Sequence, residues 1–432
     1  MTTTNDAKLG ADMLDYRGPA DPRDAGKGKW LVLLAAFLGW MFDGMEMGIF
    51  PLIASPALTE FKEDVAKWNG TFHMVFLLGA AAGGLVFGWL GDKIGRVRAM
   101  TLSVLAYSVF TGVGYFANAA WQLAVLRFFA ALGMGGEWAL GVALVLEIWP
   151  EKLRPMMAGI IGAASNVGFA LIALLGMFIK IEPGQWRWVL LAGLSPALLT
   201  FVIRLFVPES ERWKHSVQVH GGTAKPVKEI FSGSMLRVTL LAILFASVAL
   251  IGTWGSAQWI PLWVDKELAT GNPHAKATAQ FLSSIGAIIG CLVAPLVGGV
   301  LGRRPTYFLL CLTSLGASAL LFLTTTTYDN VFLAKVFLVG MTTASFYGWL
   351  PLYLPELFRT RVRATGQGVS FNSGRILAAG GALVAGSLVN SYAAAGYGKG
   401  WAMSGVTITL IYIVGMIAIW FAPETKGKPL PE

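Results

Sequence analysis

Long apolar runs alternate with short polar breaks from residue 30 to residue 421. Breaks in the pattern bound twelve runs, at 30–52, 69–90, 98–117, 121–146, 156–179, 187–207, 237–262, 278–301, 306–325, 331–354, 364–391 and 401–421. Each is close to or longer than the roughly 20 residues that an α-helix needs to cross a hydrocarbon core. None alternates polar and apolar positions as the strands of a membrane barrel do. The pattern therefore predicts an all-α membrane protein with twelve transmembrane helices embedded in a lipid bilayer.

Composition agrees, with 55% of the 432 residues hydrophobic and 13% charged. The longer polar stretches are a tail over 1–29, a linker over 208–236 and a tail over 422–432, which leave two membrane units, 30–207 and 237–421. Residues 1–29 lack the apolar core and small-residue cleavage site of a secretory signal, so the first helix is expected to serve as its own signal. Cys291 and Cys311 both lie inside apolar runs, so neither a disulfide, a metal site nor a cofactor is expected. The net charge of +9 is explained by topology rather than by nucleic acid. With the N-terminus inside, 22 Lys and Arg fall on the inner tails and loops against 7 on the outer loops, a bias that puts both termini in the cytoplasm of a plasma (inner) membrane protein. Lys335 and Arg204 lie near helix ends and can snorkel. Arg127 and Arg375 are too deep for that.

The two units echo each other. Glu147 and Arg154 recur as Glu356 and Arg363 at an offset of 209; "GDKIGR" (91–96) recurs as "GGVLGR" (298–303) at 207; "PES" (208–210) recurs as "PET" (423–425) at 215. One repeated six-helix unit explains all three echoes, and paired repeats are a known route to alternating access around a midplane site.

"GWLGDKIGR" resembles the loop signature of the major facilitator superfamily, and "PESERW" and "PETKGK" resemble the sugar-porter ends of its sixth and twelfth helices. "WMFDGMEMG" (40–48) resembles the first helix of niacin transporters and aromatic-acid:proton symporters, and "RVRATGQGVSFNSGR" (361–375) resembles the eleventh helix of organic-anion transporters. The resemblance implies two six-helix halves, secondary transport rather than an enzyme's chemistry, and a proton-coupled symporter of a small organic anion, a monocarboxylate with an aromatic ring among the candidates. The alternatives are a proton:sugar or polyol symporter, with Arg375 structural, and a non-transporting receptor on the same fold. The absence of GxxxxGK[ST] removes support for ATP-driven transport by this chain. A monomer is expected.

The charges inside the membrane carry the chemistry. A carboxylate at a helix centre costs on the order of 2.5–3.5 kcal/mol even on a lenient insertion scale, so it faces protein or water. Asp43 and Glu46, at i and i+3, share one face of the first helix, where repulsion favours keeping a proton on one of them; the simpler reading is a permanent structural pair. Helical rise puts Asp43 roughly 12 Å and Arg127 roughly 9 Å from the same membrane face. The resemblance to sugar porters then makes Asp43 the proton acceptor and Arg127 its partner. Glu46 is left as a second proton site or a hydroxyl acceptor, and Glu137 as a relay or a cavity-lining group.

By the same rise Arg375 sits roughly 17 Å deep, and its charged planar fork suits a carboxylate. It reads as an anion receptor or as a structural partner of Asp43, Glu46 or Glu137. Asn372 and Asn166 are candidate polar contacts. Tyr347, Trp349 and Trp259, with Trp254, Phe346 and Tyr353, are candidates to stack on a ring, although such aromatics also serve as packing or interface anchors. At the inner end Asp92, Arg96, Glu147, Arg154, Glu356 and Arg363 resemble the salt-bridge network that closes the outward-facing state, and Asp92 is placed to meet the N-terminus of the eleventh helix. Setting topology is the plainer role for these loop charges.

Overall fold

The computed structural model describes residues 26–63, 65–178, 184–195, 206–211, 213–215, 226–272, 274–398 and 400–431. Among these residues eleven helices are long and apolar enough to span a membrane. We number the helices α1 (Gly26–Glu60), α2 (Val65–Ile94), α3 (Arg96–Val113), α4 (Ala120–Ile148), α5 (Arg154–Phe178), α6 (Trp186–Ala192), α7 (Gly233–Gly255), α8 (Ala275–Leu301), α9 (Arg303–Thr324), α10 (Asn330–Leu357), α11 (Arg363–Ala394) and α12 (Trp401–Phe421). The tail before residue 26, most of the expected sixth run with Arg204, and much of the linker lie outside the described residues.

The two units pack alike. α2 packs on α4 as α8 packs on α10; α3 on α4 as α9 on α10; α1 on α5 as α7 on α11. Between the units α2 meets α11 and α5 meets α8. These two seams interchange when one repeat is laid on the other, so the molecule has an approximate two-fold axis between its halves. Close approach along the seams depends on small residues. A Cβ on Gly84 of α2 would fall 1.8 Å from the Asn372 amide of α11, and one on Gly159 of α5 would fall 3.1 Å from the Cys291 carbonyl of α8.

Two helices depart from the apolar pattern. α1 continues past Pro51 to Glu60 because its last turns are buried: Ile53, Ala54, Ala57 and Leu58 pack with Phe72, Leu123, Trp186 and Leu190. α10 is interrupted at Ala344–Ser345 and also carries Pro351 and Pro355. Irregular backbone at membrane depth is tolerated where it is buried or lines a cavity, and the α10 break does line one. Exposed aromatics such as Trp30, Phe116, Trp121, Phe178, Trp188 and Trp420 sit near helix ends, where an interfacial belt is expected.

Candidate functional site

One end of the bundle carries the α2–α3, α4–α5, α8–α9 and α10–α11 connections. The sequence echoes converge there. Gly95 and Gly302, with φ 107° and 99°, turn the chain into α3 and α9, a conformation nearly reserved for glycine. Beyond each turn an arginine meets a buried glutamate: Arg96 reaches Glu147 at 3.3 Å, and Arg303 grips Glu356 bidentately at 2.6 and 2.9 Å. The PES and PET segments finish each unit. Glu209 accepts from the Arg96 and Val97 N–H groups, and Glu424 from those of Arg303 and Arg304. Ser210 donates to Glu147, and Thr425 to Glu356 at 2.5 Å. Burial pushes Glu209 above the usual carboxylate range; at Glu424 burial acts the same way, but N–H donation from Arg303 and Arg304 outweighs it and holds the group low.

The halves are joined at this end by charge. Glu147 of α4 also accepts from Arg363 of α11 at 2.9 Å, and Arg96 donates to the Thr360 carbonyl at 2.8 Å. Asp92 pairs with Arg96 at 2.9 Å and accepts from both the N–H and the hydroxyl of Thr365, at 2.8 and 2.6 Å, capping the first turn of α11. The second half has Gly299 in the place of Asp92, packed on Pro155 at the start of α5. Arg154 pairs with Glu151 at 3.2 Å.

Deeper in the bundle the carboxyls of α1 separate. The expected pairing of Arg127 with Asp43 is not what forms: Arg127 donates to Glu46, and its guanidinium lies 4.3 and 4.5 Å from the Phe50 and Phe76 rings. Asp43 is fully buried, and its carboxyl meets that of Glu137, the two joined side chain to side chain by a hydrogen bond. The Glu137 carboxyl lies over Gly39, one turn before Asp43 on α1, where a Cβ would stand 1.7 Å from Oε1. Among charged groups Glu137 and Arg375 act most strongly on Asp43.

Between the halves, away from the closed end, lies an open-mouthed cavity of about 760 Å³, solvent at its mouth included. Arg375 is the only charged residue in its lining among the described residues. Its Nη1 donates to Asn372 at 2.9 Å, and its guanidinium carbon lies 5.0 Å from the Phe371 ring centroid. Asn166, Tyr347 and Trp254 line the cavity as well. Trp40, Phe169, Thr253, Gln258, Gln280, Ser283 and Ser284 were not picked out from sequence. Gln280, Ser283, Ser284 and Ala287 recur at i, i+3, i+4 and i+7, a stripe that marks one helix face.

Other aromatic candidates lie elsewhere. Trp349 is fully buried among Phe245, Tyr307 and Tyr353, and Phe346 stacks on Tyr412 in the same core. Trp259 donates to the Trp254 carbonyl and borders a separate small hollow with Trp263 and Trp401. Asn372 is 1% exposed and is absent from the cavity lining. These residues were expected at the substrate surface; their helix faces turn them into the protein instead.

Two helical repeats about a cavity, closed at one end by ion pairs, form the arrangement in which membrane transporters place a site between their repeats. The profile of the Major Facilitator Superfamily matches residues 32–382. The chain belongs to that superfamily and has its fold of twelve helices in two halves; it is a multi-pass membrane transporter and not an enzyme. It is 29% identical over 413 residues to the "Cis,cis-muconate transport protein" of Acinetobacter baylyi, covering 92% of this chain and 95% of that one. It is 27% identical to the "Niacin transporter NiaP" of the same organism, covering 94% and 96%. The fold superposes on the proton:xylose symporter XylE with a TM-score of 0.79 at 16% identity, covering 93% of this chain and 98% of that one.

Proposed function

We propose that the protein is a proton-coupled symporter of a small organic monocarboxylate, and that Arg375 is its anion receptor. The observation that carries this reading is the placement of Arg375 as the only charged group in the cavity lining among the described residues, with the buried Asp43 acting on its charge. Similarity to transporters named for muconate and niacin supports an organic acid. The aromatic walls, Trp40, Trp254, Tyr347 and Phe371, suit a flat ring.

Coupling follows from competition for one cation. With the cavity empty, Asp43 is the counter-charge of Arg375. An entering carboxylate takes over that role at Arg375, and Asp43, left beside Glu137, takes up a proton. Substrate and proton then cross together as the halves rock. The charged end, closed here, faces the cytoplasm by the positive-inside rule, as do both termini. Glu46 and Arg127 form the ion pair that fixes α1 to α4.

Tryptophan-quenching titrations with matched acids and amides test the reading. Wild type should bind benzoate and not benzamide. Arg375→Lys should keep part of the affinity, because charge survives while the fork is lost, and Arg375→Ala should lose most of it. Equal binding of acid and amide by wild type would overturn the anion assignment and favour a sugar or polyol substrate.

A further inference from the structure

Asn372 does not touch the cavity, yet its side chain is fully committed. Its Nδ2 donates to the Gly368 carbonyl one turn back at 2.9 Å and, across the seam, to the Gly135 carbonyl of α4 at 3.2 Å. Spending both N–H groups on backbone leaves Oδ1 as the atom facing Arg375, whose Nη1 donates to it at 2.9 Å. An amide turned the other way would set NH₂ against a guanidinium, donor to donor. The orientation of Arg375 therefore depends on a contact with the other half. Gly84 of α2 makes room for the amide, since any Cβ there would collide with it.

Neighbouring residues of α11 are held by the same half. Phe371 stacks on Trp138 of α4 at 4.2 Å with an interplanar angle of 19°, and presents its ring to Arg375. Asp43 of α1 is the charge that acts on Arg375 itself. Phe371, Asn372 and Arg375 of α11 are thus all acted on from the N-terminal half.

We propose that Asn372 is a positioning residue that ties the anion affinity of Arg375 to closure of the seam where α11 packs on α2 and α4. When the charged end opens, the Gly135 carbonyl withdraws and the amide is released. Arg375 then loses the acceptor that aims it, so the anion is let go toward the side that has opened. This rests on the reading of Arg375 as anion receptor. The competing account makes Asn372 a packing residue, whose loss would lower stability without changing the discrimination between acid and amide.

A thermodynamic cycle separates the two, with benzoate and benzamide as probes and titration calorimetry on the purified full chain. Asp92→Ala opens the seam by removing its bonds to Thr365, and should weaken benzoate binding about tenfold. Asn372→Ala should do the same and lower the acid-to-amide ratio to match. The double variant should bind no more weakly than Asn372→Ala alone, because the link through which opening acts is already cut. Asn372→Ser carries the same cycle if the alanine variant folds poorly. Additive losses in the double variant, or an unchanged acid-to-amide ratio in Asn372→Ala or Asn372→Ser, would overturn the proposal. Wild type that binds benzoate and benzamide equally would remove its premise, a failure visible before any variant is made.

Discussion

Asp92 offers the most quantitative test of how the closed end is held. Its Oδ2 accepts two hydrogen bonds from Thr365 across the seam, at 2.8 and 2.6 Å. Its pair with Arg96 lies within one half, so it persists in both conformations and cancels from their difference. Hydrogen bonds to a charged acceptor contribute about 1.5–3 kcal/mol each. Asp92→Ala should therefore cost the closed seam about 3 kcal/mol by the lower figure, a change on the order of a hundredfold in the ratio of the two states. Thr365→Val removes only the hydroxyl donor and should shift that ratio about tenfold. Ala364, fully buried beside Gly88 and Gly91 of α2, is the reporter position. With Ala364→Cys in a background lacking Cys291 and Cys311, maleimide labelling should rise from wild type through Thr365→Val to Asp92→Ala. Unchanged labelling in folded variants, or a larger effect from Thr365→Val than from Asp92→Ala, would refute the reasoning.

Glu46→Gln should lower thermal stability strongly, since breaking a buried pair from one side costs about 3–5 kcal/mol; replacing Glu46 and Arg127 together by methionine should recover much of the loss in a thermal-shift assay. Trp349→Ala should cost about 3–5 kcal/mol as a core truncation while leaving the acid-to-amide affinity ratio at its wild-type value, because the ring packs in the core rather than on the cavity.

The helices were legible because a bilayer demands roughly 20 apolar residues per span and tolerates few polar ones. The closed end was partly legible. Its echoes mark one unit folded twice, but attention to Asp92, whose counterpart is Gly299, hid the symmetric role of Arg303, Glu209 and Glu424. Depth alone could not assign Arg127, because Asp43 and Glu46 differ by about 4.5 Å along the axis and the rotation of α1 decides which one meets α4. Which aromatics reach the cavity was hidden for a related reason. Tyr347 and Trp349 are two residues apart, so they point to different sides of α10, and a helix apolar all round does not reveal which side meets a cavity. The neutral lining of α8 left a trace in the spacing of Gln280, Ser283 and Ser284, readable only once polar serine and glutamine are weighed beside charge.

Uphill uptake is the most direct measure of proton-coupled anion symport. Proteoliposomes holding wild type should accumulate a radiolabelled small carboxylate above its external concentration when the lumen is made alkaline, and should lose that accumulation with a protonophore. Asp43→Asn, which keeps the shape and removes the titrating group, should exchange internal for external substrate yet fail to concentrate it. Accumulation by Asp43→Asn equal to that of wild type, or wild-type uptake indifferent to the pH gradient, would contradict the account.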